Sequence, residues 1–442
     1  MLNKIARPFT KIVERYLPDP FIFVILLTII TLVSASLFTT ATNIEVLQAW
    51  GGGFWNLLSF AMQMLLVLIT GYMLASTPPI SKLLEKLATF ASTAPKAIIL
   101  VTLISLLASW INWGFGLVIG ALFAKAIAKH TRVDYRLLVA SAYSGFVVWH
   151  GGLAGSIPLT IATDGHFSEA SIGIISTEHT LFAGFNIAIL VGLFIIMPLV
   201  NRYMLPSEQE SVYIDPALLQ ETTPKPTTIT RPAQHLEQSK LLGMTIGLLG
   251  LLGLLGLAYL GYYFFITGGN LNLNSVIAVF LFLAITLHQT PHNLLNSLQQ
   301  AIPSGAGIVI QFPFYAGIMA VMVDSGLAQQ ISRGFIAVAD ADSLPFFSFI
   351  SAGLVNMFVP SGGGQWAVQA PIVIPAAQEL GADISRVAMA VAWGDAWTNL
   401  IQPFWALPVL AIAGLKAKDI MGFCVVQLFV TGVFISLVLS FY

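Results

Sequence analysis

Cysteine is almost missing: the chain holds one, Cys424, so no disulfide can form within it. Charge is scarce as well. Only 9% of the 442 residues are Asp, Glu, Lys or Arg, and the net charge is −1. That balance leaves no basic face for nucleic acid. Long polar stretches are absent except for one, so no separate soluble domain is expected. Catalytic signatures are missing too. The glycines Gly362–Gly364 lack the Lys-Ser/Thr that completes a phosphate loop, and no nucleophile elbow or zinc motif occurs. His288 and His292 have ligand-like spacing, but Pro291 lies between them at a helix end, so no metal is expected there.

What is present is apolar. Hydrophobic residues make up 57% of the chain, and mean hydropathy is +0.86. Repeated runs of about 20 apolar residues read as an all-α, polytopic membrane protein. Candidate spans are 21–40, 54–76, 135–163, 178–204, 240–265, 271–288, 300–325, 384–414 and 419–440. Ahead of them, residues 1–20 carry Lys4, Arg7, Lys11 and Arg15, with Ile5, Phe9, Ile12, Val13 and Tyr16 at helical spacing. This reads as an uncleaved basic helix lying on the bilayer.

Two further apolar stretches, 95–128 and 344–378, break in the middle. The second break, NMFVPSGGGQW at Asn356–Trp366, combines a proline with three glycines. Proline removes an amide donor and glycine permits unusual backbone. Each arm is expected to be about 14 residues, or about 21 Å, short of the bilayer core. The reading is therefore a pair of re-entrant hairpins rather than kinked crossing helices. Charge supports it. With nine spans, two returning hairpins and a cytoplasmic N-terminus, all of the 19 lysines and arginines except Arg333 and Arg386 fall on one side. Positive charge gathers on the cytoplasmic side in this way.

The polar stretch, 205–239, divides the chain. Residues 21–204 form one half, 266–442 the other, and span 240–265 connects them so that the second half is inverted. The halves are alike. The intervals Arg136–Pro158 and Arg386–Pro408 are equally long, and each runs through small residues into a break. Gln63 and Gln311 also occupy comparable places. Inverted repeats with broken helices are a recurring secondary-transporter plan, with the site near the midplane.

Four segments should carry function: SWINWGFG (109–116), SGFVVWHGGLAGS (144–156), NMFVPSGGGQW (356–366) and WGDAWTNLIQPFW (393–405). Opened helix ends expose amides to anions and carbonyls to cations. No lysine or arginine lies in these segments, which suits one weak acid group better than a dicarboxylate. Trp110, Trp113, Trp149, Trp366, Trp393, Trp397 and Trp405 crowd them and read as walls of an apolar pocket. Candidate substrate contacts are Trp110, Asn112, Trp113, Trp149, His150, Gly151, Asn356, Ser361, Gly362, Gly363 and Trp397. Candidate cation ligands are Ser109, Asn112, Ser144, Gly145, Asn356, Gly394, Asp395, Thr398 and Asn399. Asp395 is the acid inside a broken span, fit to bind a cation or carry a proton.

Three strings, SWINWGFGLVIGALFAKAIAK, SGFVVWHGGLAGSIPLTIAT and NMFVPSGGGQWAVQAPIVIPAA, resemble the bacterial short-chain fatty acid transporter family. The N-terminal RYLPDPFIFVILLTIIT is similar too, so the resemblance spans nearly the whole chain. It implies a homodimer of scaffold and transport domains moving like an elevator. It also implies uptake of acids such as acetoacetate or butyrate across the inner membrane. Ser109, Asn112, Ser361, Thr398 and Asn399 partly match the Ser-Asn-Thr sodium sites of related members, so the coupling ion stands open between sodium and a proton. No other cofactor is expected. Two alternatives stay open: a carrier of dicarboxylates or other organic anions, and an intramembrane acyl-transfer enzyme using His150.

Overall fold

The computed structural model describes residues 20–214, 236–357, 359 and 361–442. All but the last residue of the surface helix expected at 1–20, together with Pro360 and most of the polar linker, lies outside these residues. Helices account for all the regular structure among the described residues, with no strand. The fold is all-α, as expected.

The first half contains α1 (Pro20–Phe38), α2 (Asn43–Gly53), α3 (Leu58–Ala75), α4 (Pro78–Ala88), α5 (Ala94–Ile111), α6 (Trp113–His130) and α7 (Tyr135–Ser144). A 3-10 helix (Gly145–Gly151) and the short helix Ser156–Ile161 follow, then α8 (Gly184–Tyr203). The connection is α9 (Leu236–Phe265). The second half contains α10 (Leu273–His288), α11 (Pro291–Ala301), α12 (Ala306–Asp324), α13 (Leu327–Ile336), α14 (Leu344–Asn356), α15 (Gly362–Leu380), α16 (Ile384–Asn399), α17 (Pro403–Ala413) and α18 (Ala417–Phe441). Seven stretches are long and apolar enough to cross a membrane, among them the interrupted Tyr135–Ile161. The chain is a multi-pass membrane protein.

The helices α2, α4, α11 and α13 were not anticipated. The sequences of α4, α11 and α13, such as PPISKLLEKLA, carry apolar stripes rather than apolar runs, and a search for runs passes over stripes; α2 is short, 11 residues, and ends in three glycines.

The arms of the first hairpin are longer than expected. The helices α5 and α6 have 18 residues each, so length alone does not separate a hairpin arm from a crossing helix. Geometry does. A Cβ on Gly116 would overlap Ser109, and one on Gly120 would touch Ser105. Those pairs step outward from Asn112, so the two helices run antiparallel. At the base, the Thr131 hydroxyl donates to the Ala91 carbonyl, and Lys129 pairs with Glu85 at 3.5 Å. The second pair turns back in the same manner. Gln365 donates to the Ala352 carbonyl at 2.9 Å and Gln369 to the Ser351 hydroxyl at 3.1 Å.

Each turn is held by one cap. Asn112 is extended (φ −159°) and its side chain accepts from the Phe115 amide. Ser361 is extended (φ −159°) and its hydroxyl accepts from the Gly364 amide. Such caps satisfy amides that a helix start otherwise leaves open. Asp134 and Asp383 likewise cap α7 and α16. Asn112 and Ser361, Asp134 and Asp383, and Gly145 and Gly394 stand at one constant separation along the chain.

Candidate functional site

Three of the four segments meet at His150, and the first tip joins them through Trp113 against Trp149. His150 lies in the 3-10 helix and is fully buried. Its Nδ1 is 2.9 Å from the Ala392 carbonyl on α16, and its Nε2 is 3.4 Å from the Ile157 amide. A carbonyl only accepts and an amide only donates, so the proton belongs on Nδ1. Asp395 Oδ1 lies 3.5 Å from the same nitrogen. The Trp149 ring stacks on the imidazole with centroids 3.8 Å apart. A Cβ on Gly362 would come within 2.5 Å of His150 Cε1 and 2.7 Å of Trp149 Cη2. Only glycine lets the second hairpin tip come this close to the first broken span.

On the other side of Asp395 the second tip meets the second break. Asn356 donates to the Asp395 carbonyl at 2.9 Å and to the Thr398 hydroxyl at 2.8 Å. Asn399 donates to the Asp395 carbonyl at 2.5 Å and to its Oδ1 at 3.2 Å. Gln402 donates to the Asn356 carbonyl. Tyr143, from the first half, donates to the Asn399 carbonyl at 2.5 Å and lies 3.4 Å from that of Gln402. Carbonyls freed where α16 stops are thus taken up by Tyr143, which sequence reasoning missed. Gln365 and Gln402 were missed too, although a polar residue in a buried break is itself a signal.

A cavity of about 510 Å³ borders this centre. Trp113, Trp149, Ser361, Gly362 and Gly363 line it, joined by Met64, Leu68, Phe312 and Trp405. Among the described residues no charged one does. Trp113, Phe146, Trp149 and Trp405 form one aromatic cluster with centroids 5.5–6.2 Å apart.

Other candidates serve elsewhere. Trp397 donates to the Leu428 carbonyl at 2.7 Å and packs on Phe349, away from the cavity. The carbonyl of Trp110 receives the Leu153 amide at 2.7 Å. Ser144 donates to the Ser141 carbonyl and receives Asn201 at 2.9 Å. Gly151 offers its carbonyl to Asn186 at 3.1 Å. Ser109, Gly145 and Gly394 sit at close helix contacts, against Gly116, Ser105 and Phe349 respectively. His288 is spent on the Met73 carbonyl and His292 on Asn296. Among the described residues no trio of His, Cys, Asp or Glu can hold a metal.

A multi-pass helical chain whose hairpin tips and broken spans enclose a buried polar centre is built as a membrane transporter. The chain belongs to the short-chain fatty acid transporter family, whose profile matches residues 1–442. The family is one of transporters, so the chain is not an enzyme, and the acyl-transfer alternative is set aside. An Escherichia coli K12 protein named for short-chain fatty acid transport is 46% identical over 437 residues, 98% of each chain. A Haemophilus influenzae protein of the same name is 44% identical over 445 residues, again 98% of each. The crystal structure of the Alcanivorax borkumensis YdaH transporter shares the fold. Its TM-score is 0.58 at 18% identity, over 95% of this chain and 98% of that one.

Proposed function

We propose that this protein carries a short-chain monocarboxylate, such as butyrate or acetoacetate, into the cell together with a cation. The cavity carries the reading. Its walls are apolar and it has no lysine or arginine. Such walls suit a short acyl tail and reject a second carboxylate. The single carboxylate would lie at the first amides of α15, a 19-residue helix whose start, Ser361–Gly363, borders the cavity. A helix N-terminus binds an anion without a basic side chain. The relatives named for short-chain fatty acid transport support the same substrate.

Asp395 supports coupling. It is a fully buried acid where both breaks and the second tip meet, and an intramembrane acid is costly unless it is used. The matched caps and the constant separation between the halves support two inverted repeats, with tips near the midplane. We extend this to an elevator-like shift of the hairpins and broken spans within a homodimer in the bacterial inner membrane, N-terminus in the cytoplasm.

Labelled butyrate uptake into proteoliposomes tests the proposal. Uptake should need an imposed cation gradient, and succinate should compete poorly. Gradient-independent flux refutes coupling; equal competition by succinate refutes the monocarboxylate reading.

A further inference from the structure

We infer that Phe60 is the outer gate of the cavity: its ring, seated on the second hairpin tip, keeps a carboxylate from passing on the outer side, an inference that rests on the carrier reading and topology proposed above.

The ground is a stripe along α3. Met64, Leu68 and Tyr72 recur every four residues, share one face of the helix, and line the cavity of about 510 Å³. Phe60 is the next residue of the stripe. It lines a second hollow instead, of about 220 Å³, together with Gln63, Asp164 and His166. Among the described residues none borders both spaces.

The barrier between them is one ring thick. Phe312 walls the cavity and Phe167 walls the second hollow. The Phe60 ring stands between the two, with centroids 5.7 Å from each and near-perpendicular planes. The tip closes the rest. A Cβ on Gly363 would come within 2.6 Å of Phe60 Cζ, and one on Gly364 within 2.6 Å of the Tyr315 ring. Phe60, Phe312 and Tyr315 are buried. An apolar constriction sheds water, and an ionised carboxylate does not enter it without its hydration.

The helices α12 and α15 repeat the pattern. Their near ends, at Gly307–Phe312 and Gly362–Gly363, border the cavity. Their far ends, at Asp324 and Gln378, border a third hollow of about 580 Å³, which also reaches Phe167. Tyr315 on Gly364 lies between. The other mouth of the cavity is open: Gln300, Pro303, Leu407 and Ala411 line it and are exposed. Ala411 precedes Lys416 and Lys418, and Tyr72 precedes Lys82 and Lys86, so this mouth faces the side assigned to the cytoplasm. A carrier stays coupled only while its site never opens to both sides at once. Phe60 serves that end without touching substrate.

Two measurements on the full chain test this. Met64→Cys places a thiol on the cavity side of the ring; the native Cys424 is fully buried and sets the blank. A membrane-impermeant thiol reagent is added to either face of sided vesicles. Labelling from the outer face should be slow, and adding Phe60→Ala should speed it about tenfold or more, while labelling from the inner face stays fast in both. Acetoacetate efflux from proteoliposomes without any cation gradient, corrected for protein-free vesicles, should rise about tenfold or more in Phe60→Ala alone. Phe90→Ala, an exposed ring, is the control and should not leak. Melting temperature checks each variant, and Phe60→Val decides if Phe60→Ala fails to fold. Outer-face labelling that is equally fast, or equally slow, with and without the ring overturns the inference. So does a leak of the same size in Phe90→Ala. Labelling as expected, with no acetoacetate flux in any version, keeps the gate and refutes the carrier reading instead.

Discussion

Gly362→Ala is the sharpest perturbation of the tip. The added Cβ would stand 2.5 Å from His150 Cε1 and 2.7 Å from both His150 Nε2 and Trp149 Cη2. Carbon atoms in contact prefer about 3.5 Å or more, so the tip must retreat by about 1 Å. The rings cannot yield in its place. His150 is pinned by Ala392 and stacked on Trp149, and both are buried. Overpacking of this kind costs about 1–3 kcal/mol. Charged against the closed arrangement of the tip, about 2 kcal/mol lowers its population roughly thirtyfold. The assay pairs initial butyrate uptake in proteoliposomes with melting temperature in detergent. Gly51→Ala is the control, since a Cβ there meets nothing within 4 Å. Uptake by Gly362→Ala should fall at least tenfold while the control transports as before. Full uptake together with unchanged melting would refute the contact between the tip and the first break.

Other outcomes follow from the same geometry. Tyr143→Phe removes a buried donor from the carbonyls of Asn399, which keeps only the Gln402 amide, and Gln402, at a cost of about 1–3 kcal/mol; thermal melting should drop and uptake should fall with it. Asp395→Asn should abolish uptake in a protein that still elutes and melts as a folded species; wild-type uptake would remove Asp395 from the site. Asp134→Ala removes the cap on the Leu137 amide and the bond to Val212, so α7 should lose about 1–2 kcal/mol and limited proteolysis near Glu210–Val212 should speed up. Cys424 is fully buried, so the native protein should resist thiol reagents until it is denatured, as a timed labelling assay will show.

Much of the architecture was legible because it depends on local chemistry. A run of apolar residues long enough for a bilayer must hydrogen-bond to itself, so it is a helix whatever surrounds it. A break at NWG or PSGGG is written in residues that cannot continue a helix comfortably, and the caps Asn112 and Ser361 stand at those places. Asp395 and Asn356 stood out for a related reason: polar groups inside such runs are expensive and need an explanation. Arm length was misjudged because α5 and α6 extend their helices to the last residue on either side of Asn112, and a lone extended residue leaves little trace in hydropathy.

What the chain by itself determined was that it spans a membrane, where its helices stop, and which residues stand at those stops. Tertiary structure alone decided what each of those residues faces. Trp397 and Trp149 look equivalent in sequence, yet one is spent on the Leu428 carbonyl and the other walls the cavity. The bonds that tie the two halves together at the centre join residues more than two hundred positions apart, as His150 to Ala392 and Tyr143 to Asn399. Periodicity and propensity act over a few turns of helix, whereas the pairing of a buried oxygen depends on whichever distant segment packs beside it.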